Sequence, residues 1–211
     1  MVEDVGTRVL HGPRVRLRQW QRSDTLAQER WPRYNEPFSS LWNLPRAISI
    51  DEVTGHTWNG QRYAWAIEDS QRRLIGRISL REVDEREPSA RLGISLAQPY
   101  VGQGLGTEAL HVFLDYYFGP LGFARMRLDV AAVNQRAVRC YERLGFRYLA
   151  SEWRSAGHDP ALRLLDDPQY RDLLPFFRRG RFDTRVEFYE MELTRAAWRG
   201  RAVGGGPATA P

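Results

Sequence analysis

A chain of 211 residues with 42% apolar content is long enough to bury one sizeable core. Its single cysteine, Cys140, excludes an intramolecular disulfide and a multi-cysteine zinc site, and no apolar run approaches the roughly 20 residues of a membrane-spanning helix. The net charge of +5 comes from dispersed arginine, so it favours anionic ligands without distinguishing nucleic acid, a phosphorylated cofactor or an acidic protein.

The first residues carry no charged-then-apolar leader, which gives a cytoplasmic protein with no membrane partner as the expectation. Arg14 to Trp20 alternates as R-V-R-L-R-Q-W and reads as a half-exposed strand with Val15 and Leu17 turned inward. Ser23 and Asp24 offer helix caps. The following stretch is rich in aromatics (Trp31, Tyr34, Phe38, Trp42) but broken by Pro32, Pro37 and Pro45, so short helical pieces are expected to Leu44. A further helix is expected from Ser49, with Glu52 three residues later as a capping box.

From Arg62 the pattern turns to strands: R-Y-A-W-A-I-E, L-I-G-R-I-S-L-R-E-V and A-R-L-G-I-S-L, separated by polar turns, an antiparallel meander. The glycine-rich V-G-Q-G-L-G-T follows and opens into a helix apolar at Leu110, Phe113, Leu114 and Tyr117. A strand over Arg127 to Val130, a helix from Asn134 to Leu144 closed by Gly145, and a strand over Phe146 to Ala150 come next. Residues 152 to about 184 read as an insertion with helical content and a basic cluster at Arg178, Arg179 and Arg181. The last strand is R-V-E-F-Y-E-M-E-L. The expected organisation is one domain over 1–195 with a disordered tail over 196–211, where the composition falls to G-G-G-P-A-T-A-P.

A strand running into V-G-Q-G-L-G-T and then a helix presents backbone N–H groups at a helix N-terminus, where a pyrophosphate binds, and glycine lets the phosphate approach the backbone. The spacing is not that of a G-x-G-x-x-G dinucleotide fold, and the preceding strands form a meander instead of a βαβ unit. With the downstream segment L-D-V-A-A-V-N-Q-R-A-V-R-C-Y-E-R-L-G-F, the chain resembles the GNAT N-acetyltransferase superfamily. Val101 to Gly106 matches the family's phosphate motif with Gly104 and Gly106 in register. Asn134, Ala137, Tyr141, Leu144, Gly145 and Phe146 match its second hallmark. The resemblance spans about Arg14 to Ala150 and the last strand, and the R-V-R-L-R-Q-W opening and the G-T-E-A-L after the loop look most like the branch of ribosomal-protein N-terminal acetyltransferases.

The resemblance implies an α+β fold whose mixed, mostly antiparallel sheet of about seven strands splays between the fourth and fifth. It implies acetyl-CoA as co-substrate, held at Val101, Gly102, Gln103, Gly104, Leu105, Gly106 and Thr107, with main-chain contacts near Ser95 and Leu96 and further contacts at Asn134 and Arg136. No metal is implied. Asn134 serves equally as a helix N-cap. Tyr141 is the implied proton donor to the departing thiolate, since a phenol near pKa 10 can protonate a thiolate whose acid lies about 8.5, mildly uphill. Cys140 points about 100° away around the helix and has no nucleophilic role, because the amine attacks the thioester directly. Glu82, or Asp84 beside it, is the candidate anchor for a water relay acting as base. Two departures stand out: Val101 replaces the usual Arg or Gln, and Arg91 stands where relatives carry an acidic residue.

The expected reaction is direct acetyl transfer to an amine, foremost the N-terminal α-amine of a protein or peptide. The alternatives are a small-molecule amine (aminoglycoside or polyamine) and a catalytically silent acyl-CoA-binding module. Acidic residues lining the pocket favour a polycation, and the 178–181 arginines argue against one. Nucleic acid is set aside for want of aromatic–basic interleaving, and a homodimer through late strands is compatible with the family.

Overall fold

Nine strands form one sheet among the residues described by the structure, a computed structural model covering 8–45 and 63–204. They are β1 (Leu10–His11), β2 (Val15–Gln19), β3 (Ala64–Asp69), β4 (Leu74–Asp84), β5 (Ser89–Leu96), β6 (Arg125–Ala131), β7 (Arg147–Ser155), β8 (Phe177–Arg179) and β9 (Thr184–Thr194). The helices are α1 (Arg22–Gln28), α2 (Leu105–Phe118), α3 (Gln135–Arg143) and α4 (Arg195–Gly204). The sheet order is β1-β2-β3-β4-β5-β6-β9-β7, with β8 added beside β9. This is the mixed, mostly antiparallel α+β arrangement expected, with two more strands than the seven anticipated, because β1 and β8 are too short to carry a periodic signal.

Every strand pair is antiparallel except β5 and β6, which a helical crossover through α2 makes parallel. That pairing covers only Ser89–Arg125, Ala90–Met126 and Arg91–Arg127. Beyond it β5 stays zipped to β4 as far as Leu96 opposite Gly76, and β6 stays zipped to β9 as far as Ala131 opposite Phe188. The two halves of the sheet therefore diverge into a wedge.

One face of the sheet is covered by α2. Phe113 lies 4.7 Å from Trp65, Tyr117 stacks on Phe123 at 4.5 Å, and the Tyr117 hydroxyl donates to the carbonyl of Arg125 at 2.6 Å. Leu110, Phe113, Leu114 and Tyr117 are all buried there. On the other face the N-terminal aromatic segment meets the insertion, with Phe38 packed on Tyr170 and Phe177 at 5.2 and 5.4 Å. The insertion holds 3-10 turns at Pro160–Asp166 and Pro168–Phe176 followed by β8, while its first residues extend β7 to Ser155.

Three local readings shift. Helix α1 begins one residue before Ser23, and Asp24 accepts the N–H of Gln21 at 2.7 Å from the third helical position. The helix expected from Ser49 lies outside the described residues. The tail expected from residue 196 instead starts as α4, which docks by a bond from Trp198 Nε1 to Asp115 Oδ1 at 2.8 Å. Replacing Phe113, fully buried between Trp65 and Tyr117, by alanine should cost about 3–5 kcal/mol. Urea unfolding reads this as a lower midpoint at unchanged slope, and a loss under about 1 kcal/mol would mean that α2 is not the core of this face.

Candidate active site

The main chain after β5 turns through a 3-10 segment at Gln98–Tyr100 and reaches the glycine loop. Gly102 and Gly104 sit at φ of 82° and 80°, a left-handed conformation in which a Cβ is strained. Gly106 lies in the first turn of α2, and a Cβ there would stand 2.9 Å from Leu96 Cδ1, so glycine is what allows α2 to start against the end of β5. Among the described residues no acceptor meets the N–H groups of Gly102, Gln103 and Gly104. Leu105, Gly106 and Thr107 contribute the unpaired first-turn amides of a 14-residue helix. The loop is thus an open set of donors at a positive helix end, suited to a pyrophosphate.

Side chains of the loop serve it structurally. Gln103 Nε2 donates to the carbonyl of Pro99 at 2.7 Å, Thr107 Oγ1 and Cys140 Sγ are 3.1 Å apart, and Val101 offers no polar group. The cation missing at Val101 has a neighbour unnoticed in the sequence. Arg14, in the turn between β1 and β2, donates from Nη1 to the carbonyl of Gln103 at 3.2 Å and pairs with Glu108 at 2.8 Å. Its Nη2 lies 3.4 Å from where a Gly104 Cβ would be. An arginine in an alternating strand carries no local mark of such a role.

Across the wedge, Asn134 caps α3 and accepts the N–H of Ala137 at 3.2 Å. Tyr141 is 9% exposed, meets Phe146 edge-on at 5.7 Å, and its hydroxyl has no hydrogen-bond partner among the described residues. Burial pushes its phenol well above the ordinary tyrosine range, with the charges of Cys140 and Asp129 adding to the effect. Arg136 turns onto the N-terminal segment instead of toward the loop: Nη1 is 2.5 Å from Glu36 Oε1, and the guanidinium lies 5.4 Å from the centre of the Trp42 ring. The same segment reaches the opposite wall. The Tyr34 hydroxyl donates to the carbonyl of Leu96, and Gln98 Nε2 donates to Asn35 Oδ1 at 3.3 Å. Ser95 lies opposite Arg77 in the β4–β5 ladder and Leu96 opposite Gly76, both beyond the last β5–β6 pair.

A charge cluster sits where the strands part. Arg91, 5% exposed, donates to Glu82 at 2.8 Å, Asp129 at 3.2 Å and Glu190 at 2.9 Å. Asp129 is also held by Arg154 at 2.7 Å, itself 5% exposed and packed over Phe188. Burial alone would raise the Asp129 carboxyl, but Arg154, Arg91 and Arg81 outweigh it and hold the group below the ordinary carboxylate range. A cavity of about 160 Å³ opens beside them, lined by Arg91, Asp129, Ala150, Ser151, Glu152 and Glu190.

The expected relay anchors are differently employed. Glu82, at a β-bulge with φ of 48°, spends Oε2 on Arg91. Asp84 accepts the N–H groups of Arg86 and Glu87 and closes its own turn. Arg91, noted in the sequence as a departure, is the centre of the cluster, while Asp129, Glu152, Arg154 and Glu190 went unread. Among the described residues no group of three or more His, Cys, Asp or Glu side chains could hold a metal.

Comparison with known proteins matches residues 14–147 to the acetyltransferase (GNAT) domain family. A spermidine N(1)-acetyltransferase of Vibrio cholerae is 31% identical over 116 residues, 53% of this chain and 67% of that enzyme. The enzyme of the same name from Escherichia coli K12 is 30% identical over 87 residues, 37% of this chain and 47% of its own length. A putative ribosomal N-acetyltransferase of Bacillus subtilis, YdaF, is 32% identical over 73 residues, 35% of this chain and 40% of its own. Among solved structures, spermidine/spermine N-acetyltransferase SpeG from Vibrio cholerae superposes with a TM-score of 0.57 at 22% identity, covering 90% of this chain and 97% of that one. These structures share the fold.

Asp129→Asn removes the charge between two buried guanidinium groups and should destabilise the protein by about 3–5 kcal/mol in chemical denaturation. The Asp129 carboxyl lies lower in the folded chain than in the unfolded one, so its stabilisation is complete above the unfolded value of about 3.9 and fades as pH falls through the folded value. The wild type should therefore lose more stability than the variant as pH drops below about 4; parallel acid profiles would remove Asp129 from this role.

Proposed function

The chain belongs to the GNAT acetyltransferase family and is an acetyl-CoA-dependent acyltransferase, and on that premise we propose that its acceptor is a primary amine of a small polyamine such as spermidine. The observation that carries this reading is the cavity beside the wedge, lined by three carboxylates, Asp129, Glu152 and Glu190, which outnumber the two guanidinium groups, Arg91 and Arg154, that pair with them. Glu190 is engaged at Oε1, and a carboxylate accepts at both oxygens, so Oε2 remains for an ammonium. The relatives named as spermidine acetyltransferases support the same class and match more of this chain than the putative ribosomal acetyltransferase does. The N-terminal α-amine, foremost in the sequence reading, is thereby the weaker candidate. The basic cluster that spoke against a polycation is occupied elsewhere: Arg178 stacks over Trp153 at 3.9 Å and Arg179 pairs with Asp166 at 2.9 Å.

In this reading acetyl-CoA supplies an activated thioester. The amides of Gly102 to Thr107, with Arg14 beside them, hold its pyrophosphate. The main chain of β5 at Ser95 and Leu96, beyond the last pair with β6, lines the path of the arm. Tyr141 donates a hydrogen bond to the departing sulfur. Its raised pKa keeps the phenol protonated at neutral pH but makes complete proton transfer more uphill than for an ordinary tyrosine. Its contribution is therefore stabilisation of charge developing on sulfur.

The acceptor must reach the thioester unprotonated. A primary alkylamine near pKa 10.4 is neutral in about one molecule per thousand at pH 7.4, whereas an α-amine near 8 is substantially neutral. With spermidine kcat/KM should rise about tenfold per pH unit from 7 to 9, and a plateau near pH 8 would point to an α-amine instead. Tyr141→Phe should lower kcat by about 10²-fold while leaving acetyl-CoA affinity within about twofold. The assay is thiol release against spermidine, aminoglycosides and peptides with free N-termini. Turnover confined to peptides would sink the polyamine reading, and acetyl-CoA binding without turnover on any amine would leave a silent module.

A further inference from the structure

The β8–β9 hairpin pairs Phe177 with Val186, Arg178 with Arg185 and Arg179 with Thr184, and the N–H of Gly180 donates to the carbonyl of Asp183 at 2.8 Å. Arg181 and Phe182 form the tip that this bond closes, and the Phe182 ring is 80% exposed. Two guanidinium groups stack on aromatic rings here, Arg178 over Trp153 of β7 at 3.9 Å and Arg181 over Phe182 at 5.2 Å. Stacking engages the face of a guanidinium and leaves the N–H donors at its edge. Among the described residues neither Arg178 nor Arg181 spends those donors on a hydrogen bond or a carboxylate. Like charges directly opposite across antiparallel strands repel, and Arg178 faces Arg185 in the ladder, where Asp183 lies 3.4 Å from Arg185 alone.

A ligand that relieves this repulsion is anionic at more than one point, and a ligand that uses the open Phe182 face carries a flat ring. Single-stranded nucleic acid has both, phosphates that fit guanidinium forks and unpaired bases that stack on aromatic rings. An acidic peptide has the charges without the rings, a duplex keeps its base faces closed, and one exposed ring gives a bilayer too little burial for stable anchoring. The aromatic–basic interleaving wanting along the chain is thus assembled across strands, from Trp153 of β7, Arg178 of β8 and the two residues of the tip. We propose that the tip of the β8–β9 hairpin is a docking surface for single-stranded nucleic acid, with Arg178 and Arg181 meeting phosphates and Phe182 stacking on a base. None of these residues belongs to the site assigned to acetyl transfer, so the proposal stands apart from the choice of acceptor.

The test follows the fluorescence anisotropy of labelled oligo(U) and oligo(dT) of about 12 nucleotides, within the range occupied by single-strand binders. Wild type is compared with Phe182→Leu, which keeps apolar bulk and loses the ring, and with Arg178→Gln and Arg181→Gln. Phe182→Leu should weaken binding about tenfold, the loss of one stacked base, at an unchanged salt dependence. Each arginine variant should lower the slope of log affinity against log salt by about 0.7, the value for one phosphate contact on a single strand. Tighter binding of oligo(U) identifies RNA as the source, and tighter binding of oligo(dT) identifies DNA. Absence of binding by the wild type at about 0.05 M salt overturns the proposal. So does equal affinity for a duplex of the same length, unaltered affinity in Phe182→Leu, or tighter binding of polyglutamate or of phosphatidylserine vesicles. Acetyl-CoA affinity and thiol release should be the same in all three variants; their loss in parallel with nucleic-acid binding also overturns the proposal, because the hairpin would then serve the fold or the transfer site. Failure of the nucleic-acid arm with acetyl transfer intact leaves the reading of the active site standing.

Discussion

Because β5 and β6 are parallel strands joined through α2, they share three residue pairs and then part, and every backbone group beyond Arg91 and Arg127 on the facing edges needs some other partner. On the β5 side the carbonyl of Leu96 takes the Tyr34 hydroxyl, a long-range contact that brings the N-terminal segment across the gap. An apolar plug would leave the remaining groups unsatisfied at a cost comparable to lost hydrogen bonds. A ligand bearing its own amides can complete the ladder in place of a strand. The interruption of one strand pair in an otherwise continuous sheet is thus what makes an extended, amide-bearing co-substrate a natural occupant. The glycine loop stands at the end of the same strand, because β5, the turn at Gln98–Tyr100 and α2 are consecutive in the chain.

The divergence also explains the buried charges. Arg91 occupies the last paired position, where the ladder stops, and a buried guanidinium there must be met from several sides. Its partners come from three other strands, Glu82 from β4, Asp129 from β6 and Glu190 from β9, and Arg154 of β7 meets Asp129 in turn. The cluster therefore ties five strands together where hydrogen bonding between two of them fails. Buried ion networks of this kind gain little net stability over apolar packing, but losing one member strands the others. The geometry at the base of the wedge is consequently held to one arrangement, and the arginines hold the Asp129 carboxyl below the ordinary carboxylate range.

Much of this was legible from local pattern. Alternation in β2 and the meander, the apolar stripe of α2, the glycines before it and the Asn134 cap are each set by residues within a few positions of one another. What escaped was set by pairs far apart in the chain. Arg14 meets the loop 89 residues away, Arg136 meets Glu36 100 residues away, and α4, read from composition as tail, is held by Trp198 on Asp115 at a separation of 83. Arg91 looked like a departure from the family pattern because the partners that justify it lie on strands distant in sequence. Glu82 looked available as a base for the same reason: nothing local shows that a buried arginine already holds it.

Tyr141 shows how placement changes the chemistry inferred from residue type alone. A phenol near 10 facing a thiol near 8.5 is a weak but serviceable acid. Burial beside Asp129 moves the phenol further from that match, so the site that keeps Tyr141 reliably protonated also makes it reluctant to give the proton up. In the role proposed for it, such a group would act best as a hydrogen-bond donor that stabilises charge on sulfur without giving up its proton. The proton balance then rests with the acceptor, which must shed one proton to attack and another after the bond forms. For a polyamine the first of these is the costly one, because its amines are protonated near neutrality. Carboxylates that attract such a substrate would also stabilise its ammonium form, opposing that loss. A polyamine acceptor would therefore have to be bound by its distal charges, with the reacting nitrogen presented away from Asp129, where the environment favours the neutral amine.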